Sequence, residues 1–307
     1  MKIPALALTL FLALSSTFAQ RPSDPALMVP QNAPVLDYVA VPNGLTLPAG
    51  MTMGPAANVA FDPAGHLFVF NRGTLPLVEF DTNGKFVRAF GEGMFTRAHG
   101  LRIDPQGNFW VTDVGAHTAM KLSPRGDVLL TLGTKGQPGI LNEPNDIAIG
   151  AGGDIFIAQG HGGPDPRVVK FDKAGRFITS WGGKGTEPGK FFAAHSVVID
   201  SKGLVWVADR ENQRIQVFDA DGKFVRQMKY AGLPCGLQVG AENIYMVNGF
   251  AGQLLKLDLN GNVVSAVGRT GTGLGEFGEA HYLAVGPKGE IFVADPVSGP
   301  VQKFVRK

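Results

Sequence analysis

The chain has 307 residues, of which 44% are apolar and 18% are charged, and its formal net charge is +2. A chain of this length and apolar content can bury a large core within one domain. The basic residues are scattered among acidic ones, which argues against a nucleic-acid partner. The 42 glycines and 21 prolines fall mostly at spaced turns, a distribution that favours many short strands over helices.

The first residues have the pattern of a secretory signal. Met1-Lys2 precedes an apolar run at residues 3–14 and a small-residue stretch that ends at Ala19, so we expect residues 1–19 to be a signal peptide cleaved after Ala19. An uncleaved membrane anchor is the alternative, but the run is too short to span a bilayer comfortably. Cys235 is the only cysteine, so no internal disulfide is expected in a secreted or periplasmic protein.

Residues 20–34 are polar and rich in proline, and we expect them to form a flexible lead-in. Residues 35–41 have the composition of a strand but belong to no repeat. From residue 35 to residue 307 we predict a single domain.

A repeated motif organises that domain, and residues 98–113 show it most clearly. A short apolar strand leads into an Asp-Pro-x-Gly turn, which is followed by an aromatic-rich strand that ends in a polar residue. One equivalent position per repeat lies five residues before the Asp of that turn or its substitute, with a one-residue deletion in the fifth repeat. We call these positions the axial slots: Ala57, His99, Asn145, His195, Cys235 and His281.

Two further strands follow in the first five repeats, and tight-turn pairs such as Asn83-Gly84 and Asp221-Gly222 mark the hairpin between them. Four strands in each of six repeats predict an all-β, six-bladed β-propeller. The sixth repeat has only three strands of its own, so we expect residues 35–41 to supply the fourth and close the ring. A seven-bladed ring is the alternative, but it lacks a seventh axial slot.

Three of the six axial slots hold histidine, at His99, His195 and His281, in alternate repeats. If the repeats surround an axis, the three imidazoles meet at its centre. Three imidazoles that leave one coordination position open are typical of catalytic zinc sites, although imidazole also suits copper, nickel and iron. The alternative is that histidine simply suits a wet channel. Cys235, also in an axial slot, could approach the metal, but we favour its interpretation as a small buried hydrophobic residue.

Arg72 and Arg210 each follow the second strand of a repeat, where the next loop returns toward the axis. Their forked donors suit a substrate carboxylate, although each could instead pair with a nearby acid such as Glu211. His161 lies in a glycine-rich loop at the corresponding place in the third repeat. An imidazole there could act as a general base; the alternative is a merely exposed loop residue.

These residues resemble a known family. The repeats resemble NHL repeats, and residues 55–305 resemble the lyase half of peptidylglycine α-amidating enzymes, which cleave a peptidyl-α-hydroxyglycine into a peptide amide and glyoxylate. The resemblance implies that His99, His195 and His281 hold zinc and that Arg72 and Arg210 lie in the active site. It rests on these runs: Arg72-Gly73, His99-Gly100-Leu101, Trp110-Val111-Thr112-Asp113, Asn145-Asp146, His195-Ser196 and Ala208-Asp209-Arg210-Glu211-Asn212.

The chain departs from the family pattern at two places. Where the family has a catalytic tyrosine after Asp-Gly, this chain has His161 after Gln159-Gly160, so either His161 takes the place of the base or the chemistry differs. The family's Met-Pro-His-Asp run is replaced by Glu279-Ala280-His281-Tyr282. Because that Asp is the side-chain ligand of the family's structural calcium, only main-chain oxygens at Val59 and Leu101 would remain, and the calcium site is doubtful in this chain.

We therefore predict a secreted, zinc-dependent carbon–nitrogen lyase. It would act on a small molecule or peptide that carries a carboxylate, as a monomer, without nucleic acid and without a membrane span. A propeller metallohydrolase of the lactonase kind is an alternative enzyme, and a non-enzymatic NHL propeller that binds a partner is the other alternative.

Overall fold

The computed structural model describes residues 22–299 and 301–307. The predicted signal segment, residues 1–19, lies outside these ranges. Nearly all regular structure in the described chain is β, with only two 3₁₀ helices, Pro25–Met28 and Gly249–Ala251. None of the described helices has the length and apolar character that crossing a bilayer requires.

The described chain forms 26 strands. In chain order they are β1 Tyr38–Val41, β2 Ala56–Phe61, β3 Leu67–Asn71, β4 Leu77–Phe80, β5 Phe86–Phe90, β6 Ala98–Ile103, β7 Phe109–Asp113, β8 Thr118–Leu122, β9 Val128–Leu132, β10 Pro144–Ile149, β11 Ile155–Gln159, β12 Arg167–Phe171, β13 Phe177–Gly182, β14 Ala194–Ile199, β15 Val205–Asp209, β16 Arg214–Phe218, β17 Phe224–Lys229, β18 Pro234–Val239, β19 Ile244–Asn248, β20 Gln253–Leu257, β21 Val263–Val267, β22 Arg269–Thr270, β23 Glu276–Phe277, β24 Tyr282–Val285, β25 Ile291–Ala294 and β26 Val301–Arg306.

Six four-stranded sheets form the blades of a propeller. Five of them contain consecutive strands: β2 to β5, β6 to β9, β10 to β13, β14 to β17 and β18 to β21. The sixth has the order β1-β26-β25-β24, and β1 runs antiparallel to β26 with Tyr38 opposite Arg306. The predicted six-bladed β-propeller, closed by an N-terminal strand, is confirmed.

The segment before β1 differs from the expectation. Strand β1 begins at Tyr38 rather than at residue 35, because residues 34–36 pair with blade five before the chain crosses to blade six. The amide of Leu36 donates to the carbonyl of Ala266 at 2.9 Å. Residues 22–34, expected as a flexible lead-in, also contact the ring: Leu27 packs against the core between blades five and six.

Alternating side chains on the second strands explain how the blades pack. On β3, Leu67 and Val69 face blade six while Phe68 and Phe70 face blade two. Since successive side chains of a strand point to opposite faces, one apolar strand fills two inter-blade layers. Six apolar clusters result, one between each pair of neighbouring blades, and they hold the ring together.

The Asp-x-x-Gly turns have one recurring geometry. Asp104 Oδ1 accepts from the amides of Gln106 at 3.0 Å and Asn108 at 2.8 Å, and Gly107 has φ 80°, a value that favours glycine. The turns that have this aspartate therefore share one length and one backbone path. The same acceptor pattern occurs at Asp62, Asp81, Asp172, Asp200, Asp219 and Asp258.

Candidate active site

The axial slots coincide with irregularities in the innermost strands. In blades one to five the register between the first and second strands shifts at the slot, for example between Ala98 and Leu101 and between Ala194 and Ser196. A β-bulge leaves its extra residue unpaired and redirects the side chain. In blade six, His281 directly precedes β24. Each axial residue thus lies at or next to the start of the innermost strand of its blade.

The structure brings the three axial histidines together on the propeller axis. Their ring centroids are 5.0 Å apart for His99 and His195, 4.8 Å for His99 and His281, and 5.1 Å for His195 and His281. All three residues are buried. The slots between them hold Ala57, Asn145 and the buried Cys235.

Main-chain carbonyls of the following axial slots orient these rings. His99 Nδ1 lies 2.8 Å from the carbonyl oxygen of Asn145, and His281 Nδ1 lies 2.7 Å from that of Ala57. Because a carbonyl can only accept, Nδ1 carries the proton and Nε2 keeps its lone pair. His195 has the main chain of Cys235 as the corresponding neighbour, although its Nδ1 lies outside hydrogen-bond geometry.

His161 is the fourth imidazole of the cluster. Its ring centroid lies 4.8 Å from that of His99 and 5.6 Å from that of His195. One nitrogen from each of the four histidines can be chosen so that all lie within 4.8 Å of one another. His161 is partly exposed, whereas the other three are buried. The sequence left open whether His161 approaches the axis or is only an exposed loop residue. The structure places it beside the axial histidines.

Burial keeps the cluster neutral. Desolvation is the largest cause that lowers the pKa of His99, His195 and His281 well below its usual value, and neighbouring imidazoles or arginines add to it. The pKa of His161 is lowered by burial and then by Arg210 and Arg97. Neutral imidazoles have the lone pairs that a metal ion requires.

Tyr282 forms the floor of the cluster. Its ring stacks on His195 at 5.6 Å and meets His281 edge-on at 4.9 Å, and its hydroxyl donates to the carbonyl of His195 at 2.7 Å. The side chain is fully buried. On its far side the Arg102 guanidinium lies 5.8 Å from the ring centroid.

An ion pair fills the channel below Tyr282. Arg102 Nη2 donates to Asp146 Oδ2 at 2.6 Å, and Ser196 Oγ donates to the same oxygen at 2.7 Å. Arg102 Nη1 donates to the carbonyl of Leu101 at 3.3 Å. That carbonyl is one of the two main-chain oxygens considered for calcium, so a guanidinium cation already lies beside it.

The predicted arginines lie at the opposite side of the cluster. Arg72 Nε donates to the carbonyl of Ala98 at 3.2 Å, next to His99. Arg210 Nη2 pairs with Glu211 at 2.6 Å, and its Nη1 lies 3.5 Å from Glu279. The alternative pairing with Glu211 is therefore present for Arg210, while Arg72 makes no salt bridge with a described acid.

Six charged residues form what we call the rim of the site: Arg72, Arg97, Glu143, Arg210, Glu211 and Glu279. Their charges affect one another. Burial, together with the charge of Arg97, lowers the pKa of Arg72 to about 10, so its guanidinium stays protonated at neutral pH. Burial opposes the positive charge of Arg210, but Glu211 and Glu279 outweigh it and raise the pKa. Burial raises the pKa of Glu279, against the opposing effect of Arg210 and Arg72.

The sequence reasoning missed three charged residues of this rim. Arg97, Glu143 and Glu279 each lie two residues before an axial slot, in repeats two, three and six. Arg97 is close enough to Glu143, Glu279 and Arg210 for their charges to influence its pKa. The axial-slot count would have found all three residues if it had been extended by two positions toward the N-terminus.

The polar residues that end the second strands hold this rim in place. Asp113 accepts from the amides of Thr96 at 2.6 Å and Arg97 at 2.8 Å, and Asp295 accepts from the amides of Gly278 at 2.8 Å and Glu279 at 3.2 Å. A carboxylate that binds several amides fixes the loop that precedes each axial slot.

Comparisons with known proteins agree with this fold. The family model for the NHL repeat matches residues 194–218. The chain is 35% identical to mouse peptidyl-glycine alpha-amidating monooxygenase over 58% of its own length and 22% of that protein. It is 30% identical to the probable peptidyl-alpha-hydroxyglycine alpha-amidating lyase pgal-1 of Caenorhabditis elegans, over 74% of this chain and 69% of that one.

A solved structure of streptogramin B lyase shares the fold, with a TM-score of 0.63 and 17% identity over 88% of this chain and 98% of that one. Fold and repeats thus define an NHL-repeat β-propeller with a histidine cluster on its axis. The chain belongs to the family of peptidyl-α-hydroxyglycine α-amidating lyases. It spans about a fifth of the length of the mouse relative, and the Caenorhabditis elegans relative is named as a probable lyase.

Proposed function

We propose that the protein is a secreted, zinc-dependent lyase that cleaves the carbinolamide C–N bond of a peptidyl-α-hydroxyglycine and releases a peptide amide and glyoxylate. The observation that supports this most strongly is the convergence of His99, His195 and His281 on the axis. A carboxylate-bearing small molecule or peptide is the proposed substrate, and the protein acts as a monomer.

The histidine cluster fits a metal ion. Nε2 of His99 and both ring nitrogens of His195 are buried without a hydrogen-bond partner among the described residues. Unpaired buried acceptors are costly, and coordination removes that cost. His99, His195 and His281 would hold zinc, which supplies a Lewis acid that polarises a substrate oxygen.

The rim arginines supply the binding of a carboxylate. Arg72 keeps both terminal nitrogens free of salt bridges to described acids, and its Nε is fixed on Ala98. A forked guanidinium binds a carboxylate through two parallel hydrogen bonds. We assign the orientation of the substrate carboxylate to Arg72, with Arg210 beside it as a second cation whose charge Glu211 and Glu279 partly balance.

His161 supplies the proton acceptor. Its neutral imidazole takes the proton of the carbinol hydroxyl, and the oxygen electron pair then forms the aldehyde C=O as the C–N bond breaks. The nitrogen receives the bonding pair and takes the proton back from His161. No electron acceptor or donor is needed, since the carbinol carbon already has the oxidation level of the aldehyde.

Export is the part of this proposal that concerns residues 1–19. The apolar run at residues 3–14 and the small residues up to Ala19 support cleavage after Ala19 and release into a secreted or periplasmic compartment. N-terminal sequencing of the exported protein should begin at Gln20. A protein that keeps Met1 would contradict this.

The central experiment measures metal content and glyoxylate release with protein purified without a polyhistidine tag. We expect one zinc per chain and glyoxylate from an α-hydroxyglycine peptide. Replacing His99, His195 or His281 with alanine should remove both. His66→Ala is the matched control, because His66 with Asp62 and Glu79 forms the other described group that could hold a cation.

The outcomes separate the parts of the proposal. Stoichiometric zinc without glyoxylate would keep the metal site and reject the substrate. Zinc that is lost from His66→Ala and retained in His195→Ala would reject the axial site. Glyoxylate release that survives the loss of all three axial histidines would reject the mechanism.

A further inference from the structure

Three imidazoles would leave a zinc ion with an open position, but the structure places a fourth imidazole against that cluster. His161 lies with its ring centroid 4.8 Å from that of His99. We propose that His161 is a fourth, exchangeable metal ligand, which closes the site at rest and gives up its place to the substrate. This inference rests on the proposed zinc site and concerns how that site is regulated.

The distances fit a four-imidazole site. Nitrogens that share one tetrahedral zinc lie about 3.3 Å apart, given Zn–N bonds of about 2.0 to 2.1 Å. The four ligand nitrogens already lie within 4.8 Å of one another, so small rotations of the rings bring them into range. Buried ring nitrogens of His99 and His195 that have no hydrogen-bond partner among the described residues belong to two of these four histidines.

The backbone around His161 differs from that around the other three histidines. His99 and His195 are carried by β6 and β14, at bulges in the innermost strands. His161 lies in a loop between Gly160, with φ 91°, and Gly162, with φ 114°. A side chain added at Gly162 would meet nothing within 4 Å, so the loop has open space at this residue, whereas Gly160 packs against Pro166 and Gly163 against Glu143.

The hydrogen bonds that hold the imidazole rings in place also differ. His99 and His281 are each bound through Nδ1 to a main-chain carbonyl, so their rings cannot turn away without losing a buried hydrogen bond. His161 has no such bond to a described carbonyl; His195 has none either, but its backbone belongs to strand β14. Departure of His161 from the metal would cost the coordination bond and the ring contacts with His99 and His195, and an incoming carboxylate or hydroxyl would replace the coordination bond.

This arrangement links entry of the substrate to availability of the base. While His161 is a ligand, its lone pair is occupied and it cannot accept a proton. Once it is displaced, the free lone pair lies beside the group that displaced it. The protein would then discriminate against neutral molecules whose donor atoms cannot compete with an imidazole, and would favour substrates that bring a carboxylate to Arg72.

X-ray absorption of the zinc-loaded full chain, purified without a polyhistidine tag, counts the imidazoles directly. We expect four in the wild type, three together with an oxygen in His161→Ala, and three in the wild type after addition of glyoxylate as the carboxylate probe. Asp165→Asn alters the same loop at a residue that pairs with Gln159 and Arg167, and it should keep four.

A zinc titration gives a second readout. His161→Ala should raise the zinc Kd by at least about tenfold, with circular dichroism like that of the wild type. Three imidazoles in the wild type, or an unchanged Kd, would overturn the inference and leave the three-histidine site standing. If four imidazoles remain after glyoxylate is added, His161 is not displaced, and the exchangeable part of the inference is overturned. A chain that binds no zinc would overturn the inference and the proposed function together.

Discussion

At the residue scale, the tautomer of each axial imidazole is decided by its neighbour in the next blade. His99 and His281 donate from Nδ1 to the carbonyls of Asn145 and Ala57, which leaves Nε2 as an acceptor directed at the axis. The ligand atoms are thus oriented before any ion arrives. Preorganisation of this kind lowers the cost of binding.

Arg72 is the rim residue for which the proposed mechanism makes the sharpest prediction. Arg72→Gln should lower kcat/KM for glyoxylate release by about 10²-fold, because the substrate carboxylate loses a fixed pair of donors. The kcat/KM of Arg72→Lys should lie between those of the wild type and Arg72→Gln, since lysine keeps the charge but lacks the forked pair of donors. Steady-state kinetics at equal zinc content measure both.

Arg88→Gln is the matched control for that prediction. Arg88 is also in blade one, but it is half exposed and pairs with Glu79. Its replacement should leave kcat/KM within about twofold, as is usual for a surface residue. Equal losses from Arg72→Gln and Arg88→Gln would show that the effect is general and does not arise at the rim.

Residues differ in how far their placement could be predicted. His99, His195 and His281 share one register with the Asp turns, so a count along the sequence reached them. Tyr282 could not be predicted as the floor, because its direction depends on stacking with His195 and on a hydrogen bond across the ring. The approach of His161 to the axis depends on the path of a glycine loop.

At the element scale, the Asp-x-x-Gly turns set the length of each hairpin. Their regularity explains why the strands and their order were predictable from the sequence. The beginning of β1 was not predictable, because residues 34–36 pair with Ala266 of blade five and only the following residues reach blade six. Composition alone does not show which neighbour an edge strand meets.

Two equivalent turn glycines separate backbone strain from steric overlap. Gly203 has φ 78° with open space around it, whereas Gly222 has φ 84° and an added Cβ would lie 2.5 Å from Trp181. Gly203→Ala should lower the free energy of unfolding by about 1 kcal/mol. Gly222→Ala should cost about 1 to 3 kcal/mol more. Chemical denaturation measures both, and equal costs would contradict the overlap.

The turn carboxylates also predict how stability depends on pH. Asp172 accepts from the amides of Ala174 and Arg176, both at 2.9 Å, and its bonds to Arg176 hold the pKa below its usual value. A folded pKa below the unfolded value of about 3.9 gives stability that is present above that value and lost as the pH falls through the folded pKa.

Asp172→Asn tests this expectation. Asparagine keeps the shape of the side chain and removes its charge, so the variant should be less stable than the wild type at pH 7. The difference in the free energy of unfolding should shrink as the pH falls below about 4. Urea denaturation at a series of pH values measures it, and a difference that does not change with pH would contradict the assignment.

At the scale of the whole molecule, the ring is held by six apolar layers and by one strand from the far end of the chain. Strand β1 pairs with β26 from Tyr38 to Val41, and the residues before it pair with blade five. The N-terminal segment therefore covers an edge that would otherwise be open to association.

A chain that begins at residue 42 should show what this closure contributes. Compared with a chain that begins at residue 22, its midpoint of thermal unfolding should be lower by about 5 °C or more, since several kcal/mol of pairing and packing are lost. The uncovered edge of β26 should increase self-association in size-exclusion chromatography. Equal midpoints and equal elution would contradict a closing role.

Tyr282 separates the histidine cluster from the charges beyond it. Its buried ring contacts His99, His195 and His281 on one side, and the Arg102 guanidinium of the Arg102–Asp146 pair lies over the same ring. A substrate of the proposed reaction would therefore approach the histidines from the side of Arg72. If both fragments leave on that side, we expect the fragment nearer Arg72 to depart before the fragment that lies against the histidines.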